Sequence, residues 1–272
     1  MEFLSNPFLQ MALFAGFAAS VASGVVGSYV VVKRIVFISG SISHSVLGGM
    51  GFFLWLKRTY GLTALTPIHG AFFAALLSAY LMGWIHLKHR EREDTVIAAV
   101  WAIGMAVGVI FIALTPGYNA ELMNFLFGNI LWVSQSDLTL LFGFDLFVLA
   151  VVFLFHRRFL AVCFDEEQAT LQKLPIKQLY FLLLSLIAIS VVLLIQVVGA
   201  ILVIAMLTLP PAIASGFTDR LSRVMLIAVL LGSFFTFVGT FFSYNLNWPP
   251  GATIALTAAV FYALSLVKRR YC

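Results

Sequence analysis

Leu179–Thr218, LYFLLLSLIAISVVLLIQVVGAILVIAMLTLPPAIASGFT, is forty residues long and carries no charged side chain. A helix rises about 1.5 Å per residue, so about 20 such residues cross a hydrocarbon core of roughly 30 Å. This stretch is long enough to cross twice, or to cross once and turn partway back. Outward from it the pattern repeats. Phe3–Val32, Ile35–Leu56, Thr59–Leu87 and Thr95–Ala120 are each charge-free and long enough for one crossing. Another span runs from about Leu138 to Phe155 with Asp145 inside it. Val224–Val267 is divided by Asn245 to Gly251, whose polar residues and paired prolines read as a turn. Leu122–Ser136 is uncharged but short, and its Asn124, Gly128, Asn129 and Gln135 suggest a re-entrant or interfacial helix.

Hydrophobic residues make up 62% of the 272 and charged residues 10%. A water-facing domain has about 25% charged residues, so this chain takes lipid as its outer solvent. The expected fold is an all-α integral membrane protein, a polytopic helical bundle of eight or nine transmembrane helices with short interfacial or re-entrant helices. With nine spans and an outside N-terminus, 14 basic residues fall inside and only Lys57 and Arg58 outside. With eight, the last five move across and the ratio becomes 9 to 7, so nine is preferred. The first span is no cleavable signal, because Glu2 stands where a basic segment would be and the apolar run is too long. The formal charge is +5. Its basic residues form short clusters between apolar runs, which suits membrane anchoring and no nucleic acid.

Ionisable side chains inside spans are costly and are functional candidates. His44 lies near the middle of its span, with Gly40 and Gly48 one turn either side and Ser41, Ser45, Gly49 and Gly51 close by. Such a small-residue face lets another backbone approach closely. The imidazole is either a ligand for a borderline divalent cation or a packing histidine bonded to a neighbouring hydroxyl. Asp145 is the second metal candidate. Amid Phe142, Phe144, Leu146 and Phe147 its carboxyl is protonated or paired if deep, and simply solvated if the span begins later. His69, His86 and His89 read as interfacial, and Glu121 lies in an outer connection. Pro210 and Pro211 break a span, which places that segment at a bundle interior or cavity wall, or marks a simple kink.

Several chemistries are absent. The sequence has no phosphate loop of the form G-x-x-x-x-G-K-[ST], no H-E-x-x-H and no G-x-S-x-G. Ser41 and Ser43 lie three and one residues from His44, without an acidic orienter, so an intramembrane hydrolase is disfavoured. Cys163 and Cys272 are too few for a disulfide framework. Residues 157–178 form a charged cytoplasmic loop with a helix start at Asp165, followed by Glu166, Glu167 and Ala169. A short helix of this kind is either a docking element for a soluble partner or a solvated connection.

Taken together, these blocks resemble the membrane permease subunits of bacterial zinc, manganese and iron ABC transporters along nearly the whole chain. Val30 to Ile38 and Ile42 to Leu47 match the family's basic pair and Ser-His stretch. Arg92 to Thr95 leads into a Gly-rich span. Leu126 to Leu131, Phe164 to Ala169, Val198 to Val203 with Pro210-Pro211-Ala212, and Ser243-Tyr244 with Pro249 to Thr253 follow in order. The resemblance implies a single permease domain over 1–272 that imports a divalent transition metal, zinc first and manganese or iron next, across the bacterial inner membrane. It implies two ATPase subunits that bind ATP, a second permease copy (identical or paralogous) and an extracytoplasmic metal-binding protein. Asp165, Glu166, Glu167 and Ala169 would contact the ATPase, and His44 would line the pathway with Gly40, Ser41, Gly48, Pro210 and Pro211. The chain departs from the family at Gly40, where an acid usually stands four residues before the histidine, and at Asn247. The missing carboxylate disfavours a hard ion such as manganese more than zinc. A gradient-driven transporter or channel is the competing class, and it predicts activity without an ATPase.

Overall fold

A computed structural model describes residues 6–88, 93–117, 128, 130 and 133–271, with 93 and 268–271 described by backbone only. The described residues form ten helices and no strand: α1 (Pro7–Val32), α2 (Val36–Tyr60), α3 (Pro67–Lys88), α4 (Glu93–Leu114), α5 (Gln135–Phe164), α6 (Glu166–Leu171), α7 (Ile176–Val198), α8 (Ala200–Ala214), α9 (Leu221–Leu246) and α10 (Pro250–Tyr271). Eight of them are long and apolar enough to cross a membrane. The remaining two are the short polar α6 and the 15-residue apolar α8.

The forty-residue run thus divides into one full-length helix and one short helix. Gly199, with φ +83° and ψ 157°, ends α7 in a conformation essentially restricted to glycine. At about 1.5 Å per residue α8 is about 22 Å long, short of a full hydrocarbon crossing. The nine full spans preferred from charge counting become eight plus this short helix. Glu121, His89, Arg90, Arg92 and most of the segment expected to be re-entrant (122–127, 129, 131 and 132) lie outside the described residues.

Helix starts follow their side chains. The Asn6 carboxamide oxygen accepts from the Phe8 amide at 3.0 Å. At the start of α5, Ser134 and Asp137 exchange hydrogen bonds between side chains and amides, as in a capping box. Asn247 closes α9 in the left-handed region at φ +54°, and Pro250 opens α10, so the expected turn lies where the sequence placed it.

The chain divides into two compact units. The first holds Met1–Arg34, Met123–Leu154 and Leu193–Cys272; in it α1 and α10 each pack on α8 and α9. The α1 face is built of Ala12, Ala15, Ala18, Ala19 and Ala22, all buried. Its glycines admit neighbouring chain directly, Gly16 against Thr236 and Gly24 against the Val229 backbone. Helix α8 runs through Pro210 and Pro211, which are both buried. Pro211 has no N–H to give the Leu207 carbonyl one turn back. Gly27 of α1 closes on that same carbonyl so tightly that a Cβ there would overlap it. The prolines therefore mark a helix-packing seam, where a Cα–H contact covers the freed oxygen. Gly128, at φ +65°, seats in the same way on the Val198 carbonyl beside Gly199. Two family-like blocks seventy residues apart in sequence thus meet backbone to backbone.

The second unit holds Ile35–Leu122 and Phe155–Val192. Here α2 packs against both α3 and α4. Gly49 and Gly70 bring α2 and α3 into backbone contact, while Gly48 and Gly51 lie against the carbonyls of Gly104 and Gly108 on α4. Helix α3 also packs on α7: Ser185 Oγ donates to Tyr80 Oη at 3.1 Å, and Gly83 lies under Phe181 and Leu184.

Candidate functional site

His44 is the ninth residue of the 25-residue α2, on the face that α4 approaches. Its imidazole stacks on the Trp101 indole, with ring centroids 4.3 Å apart and planes 11° from parallel. Trp101 Nε1 in turn donates to Met105 Sδ at 3.2 Å. The ring of His44 is half-buried, so one face is covered while the rest stays partly open. Small residues make this geometry. Ser41 Oγ donates to the Ile97 carbonyl at 3.0 Å, one turn before Trp101. Ser78 Oγ of α3 donates to Ser45 Oγ at 2.8 Å, and Ser45 donates to the Ile42 carbonyl at 2.9 Å. The hydroxyls near the histidine are thereby engaged with backbone or with each other.

Gly40 shares the His44 face, four residues earlier. A Cβ built there would stand 3.8 Å from the Trp101 ring, an ordinary contact. The space that an acid would enter is therefore open, with Trp101 as its wall. Among the described residues no group of three or more His, Cys, Asp or Glu side chains is placed to hold a metal ion. His44 can offer a cation a single soft-to-borderline nitrogen, which suits brief contact and not storage.

Beside this seam lies a cavity of about 280 Å³ between α2, α3 and α4, walled by Phe52, Phe73, Leu77 and Ile103, with Ser45 and Ser78 among its few polar groups. In the first unit, Asp145 lies ten residues into the 30-residue α5 and is only 5% exposed. Neither carboxylate oxygen has a hydrogen-bond partner of good geometry, though the Ala22 backbone of α1 lies close enough to act on the group. His69 is occupied locally, its Nδ1 2.8 Å from Thr66 Oγ1 at the start of α3.

In the loop after α5, Asp165 is the N-cap of α6, and its Oδ1 accepts from the Gln168 amide at 2.8 Å. Glu166 lies 3.9 Å from His86 at the end of α3. Glu167 is exposed and Ala169 is buried, while Phe164 and Leu171 project at 64% and 83% exposure on either side of the helix. Sequence reasoning missed the positions of Trp101 and Ser78 beside the His44 seam and the contacts of His86 with Glu166 and Tyr180. The available signal was Gly104-x-x-x-Gly108, a spacing that lets helices approach closely and that fixes which α4 face meets His44.

The profile of the ABC 3 transport family matches residues 5–269. The chain belongs to the ABC 3 transport family. It is a multi-pass membrane subunit of an ATP-binding-cassette transporter. A relative described as a probable metal transport system membrane protein, from Chlamydia pneumoniae, is 52% identical over 258 residues, covering 94% of this chain and 88% of its own. The manganese transport system membrane protein MntC of Halalkalibacterium halodurans is 31% identical over 264 residues, covering 97% and 88%. Among solved structures, PsaBC from Streptococcus pneumoniae in complex with Fab superposes with a TM-score of 0.84 at 29% identity, covering 97% of this chain and 94% of that one. In this ABC 3 chain, then, the described residues of the six sequence blocks fall on α1 and α2, the start of α4, Gly128 and Ile130, the end of α5 with α6, α7 and α8, and α9 and α10.

Proposed function

We propose that this chain is the permease of an importer that carries a divalent transition metal ion across the bacterial inner membrane. The observation that carries the reading is His44: one imidazole inside a membrane-length helix, oriented by Trp101 and set in a seam of glycine and serine. A lone nitrogen without a second fixed ligand binds weakly, and weak contact lets an ion leave as readily as it enters. The ion is the cargo. Zinc suits an imidazole without a carboxylate, because the site at Gly40 adds no hard anionic oxygen. Manganese is the second reading, favoured by the names of the MntC relatives.

Asp145 serves as a second cation point, since a buried carboxylate without donors needs a counter-charge or a proton. The engine is separate. Two ATPase chains would dock on α6, where Glu167, Phe164 and Leu171 are exposed, and would drive a pair of permeases fed by an outer metal-binding protein. Radiometal uptake into vesicles holding the assembled complex, with zinc, manganese and ferrous iron in competition, tests the reading. Full-rate uptake by the permease alone without nucleotide would favour a gradient-driven carrier and overturn it.

A further inference from the structure

His86 occupies the point where five helices of the second unit converge. It stands in the last turn of α3, with Nε2 3.9 Å from Glu166 Oε1 on α6, close enough for attraction but longer than a hydrogen bond. Its ring packs on Tyr180 of α7 at a centroid distance of 4.9 Å. Beside it is a gap of only about 10 Å³, lined by His86, by Ile38 of α2 and by Val96 and Ile97 of α4. Ile97 is the residue whose carbonyl takes the Ser41 hydrogen bond, and one turn further along α4 is Trp101, stacked on His44.

From the docking helix the sequence of neighbours is Glu166, then His86, then across that small gap Ile97, and beyond it Ser41 and Trp101 around His44. A gap of about one water leaves His86 little room to move without moving Val96 and Ile97, because close-packed interiors transmit displacement. From this geometry we infer that His86 is the positioning residue through which movement of α6 reaches the His44–Trp101 pair. The inference rests on the reading of α6 as the ATPase-docking helix. It adds the route by which docking is felt inside the membrane. A route of contacts becomes a coupling only if both ends respond together, and the test measures both ends.

The experiment uses the full complex with its ATPase and binding protein in lipid nanodiscs. Only the permease carries 5-fluorotryptophan, and the Trp101 resonance is assigned with Trp101→Phe. In the wild type, a non-hydrolysable ATP analogue shifts that resonance. In His86→Ala the shift is lost, ATP is still hydrolysed, and metal ions moved per ATP fall by about fivefold or more. His86→Gln, which keeps a donor toward Glu166, restores most of both. Glu166→Gln lowers the same ratio, and its combination with His86→Ala is no worse than His86→Ala alone. Should His86→Ala fail to assemble, Glu166→Gln on the exposed α6 answers the same question.

A wild-type shift retained in full by His86→Ala and Glu166→Gln overturns the inference while leaving the transport reading intact. So does a complex that pumps with ATP while its Trp101 resonance ignores nucleotide. Uptake that needs no nucleotide at all overturns the transport reading, and the inference with it.

Discussion

The imidazole of His44 and the indole of Trp101 lie parallel within 11°, 4.3 Å apart, so the orientation of the His44 ring is set by a residue on another helix. His44→Ala is expected to slow metal uptake by at least about tenfold while the complex still assembles. Trp101→Ala is expected to weaken uptake through loss of ring orientation, and Trp101→Phe to keep most of it. Uptake rates beside size-exclusion profiles check all three, and an unaffected His44→Ala would reduce the histidine to packing.

Gly40→Asp adds a carboxylate on the His44 face, where a Cβ is accommodated 3.8 Å from Trp101. Side chains four residues apart on a helix can act on one ion. The expected outcome is a change of preference toward manganese, read from competition between manganese and zinc during uptake. Unchanged competition would show that position 40 does not face the ion.

Gly48 lies against the Gly104 carbonyl with no room for a methyl group, the built Cβ standing 2.8 Å from that oxygen. Gly48→Val therefore pushes α2 and α4 apart and is expected to cost about 1–3 kcal/mol. Thermal unfolding of the purified complex measures it. Gly143→Val, at a position with nothing within 4 Å of a built Cβ, is the control and should leave the midpoint near that of the wild type.

Asp145 separates stability from transport. Its carboxylate is buried and unpaired, so Asp145→Leu removes an unsatisfied group and should hold or raise stability, by about 1–3 kcal/mol. If the carboxylate meets a cation during transport, both Asp145→Leu and Asp145→Asn lose uptake while folding is kept. Wild-type uptake in both variants would remove Asp145 from the pathway.

Asp165 and Glu166 differ in role although they are adjacent. Asp165 caps α6, so Asp165→Ser should keep coupling, while Asp165→Ala costs about 1 kcal/mol locally and loosens the helix. Replacing both residues by Lys should leave ATP hydrolysis running without matching uptake. The ratio of ions moved to ATP split distinguishes these outcomes, and normal uptake in the double Lys variant would discard the docking role.

The spans were legible in the sequence because a charge-free run of about 20 residues has few other homes, and the Asn245–Gly251 turn and the Asp165 helix start were legible because their side chains act within a few residues. The division of Leu179–Thr218 was harder. Gly199 reads as one small residue among many until its positive φ is seen. His44 stood out as the lone imidazole of its span, but Trp101 did not, because its partner is 57 positions away and stacking leaves no period in the chain. His86 was read as an interfacial histidine, and its link to Glu166 depends on how α3 meets α6. Asp145 was visible as a charge, while its burial depends on which helices pack on α5.

Gly27 and Leu207 leave a mechanical consequence. Pro211 strips that oxygen of its own donor and Gly27 covers it, so the first and eighth helices meet main chain to main chain there. The two rods bear on each other there with no side chain between them, as on a fulcrum. A methyl group at residue 27 would turn that fulcrum into a wedge.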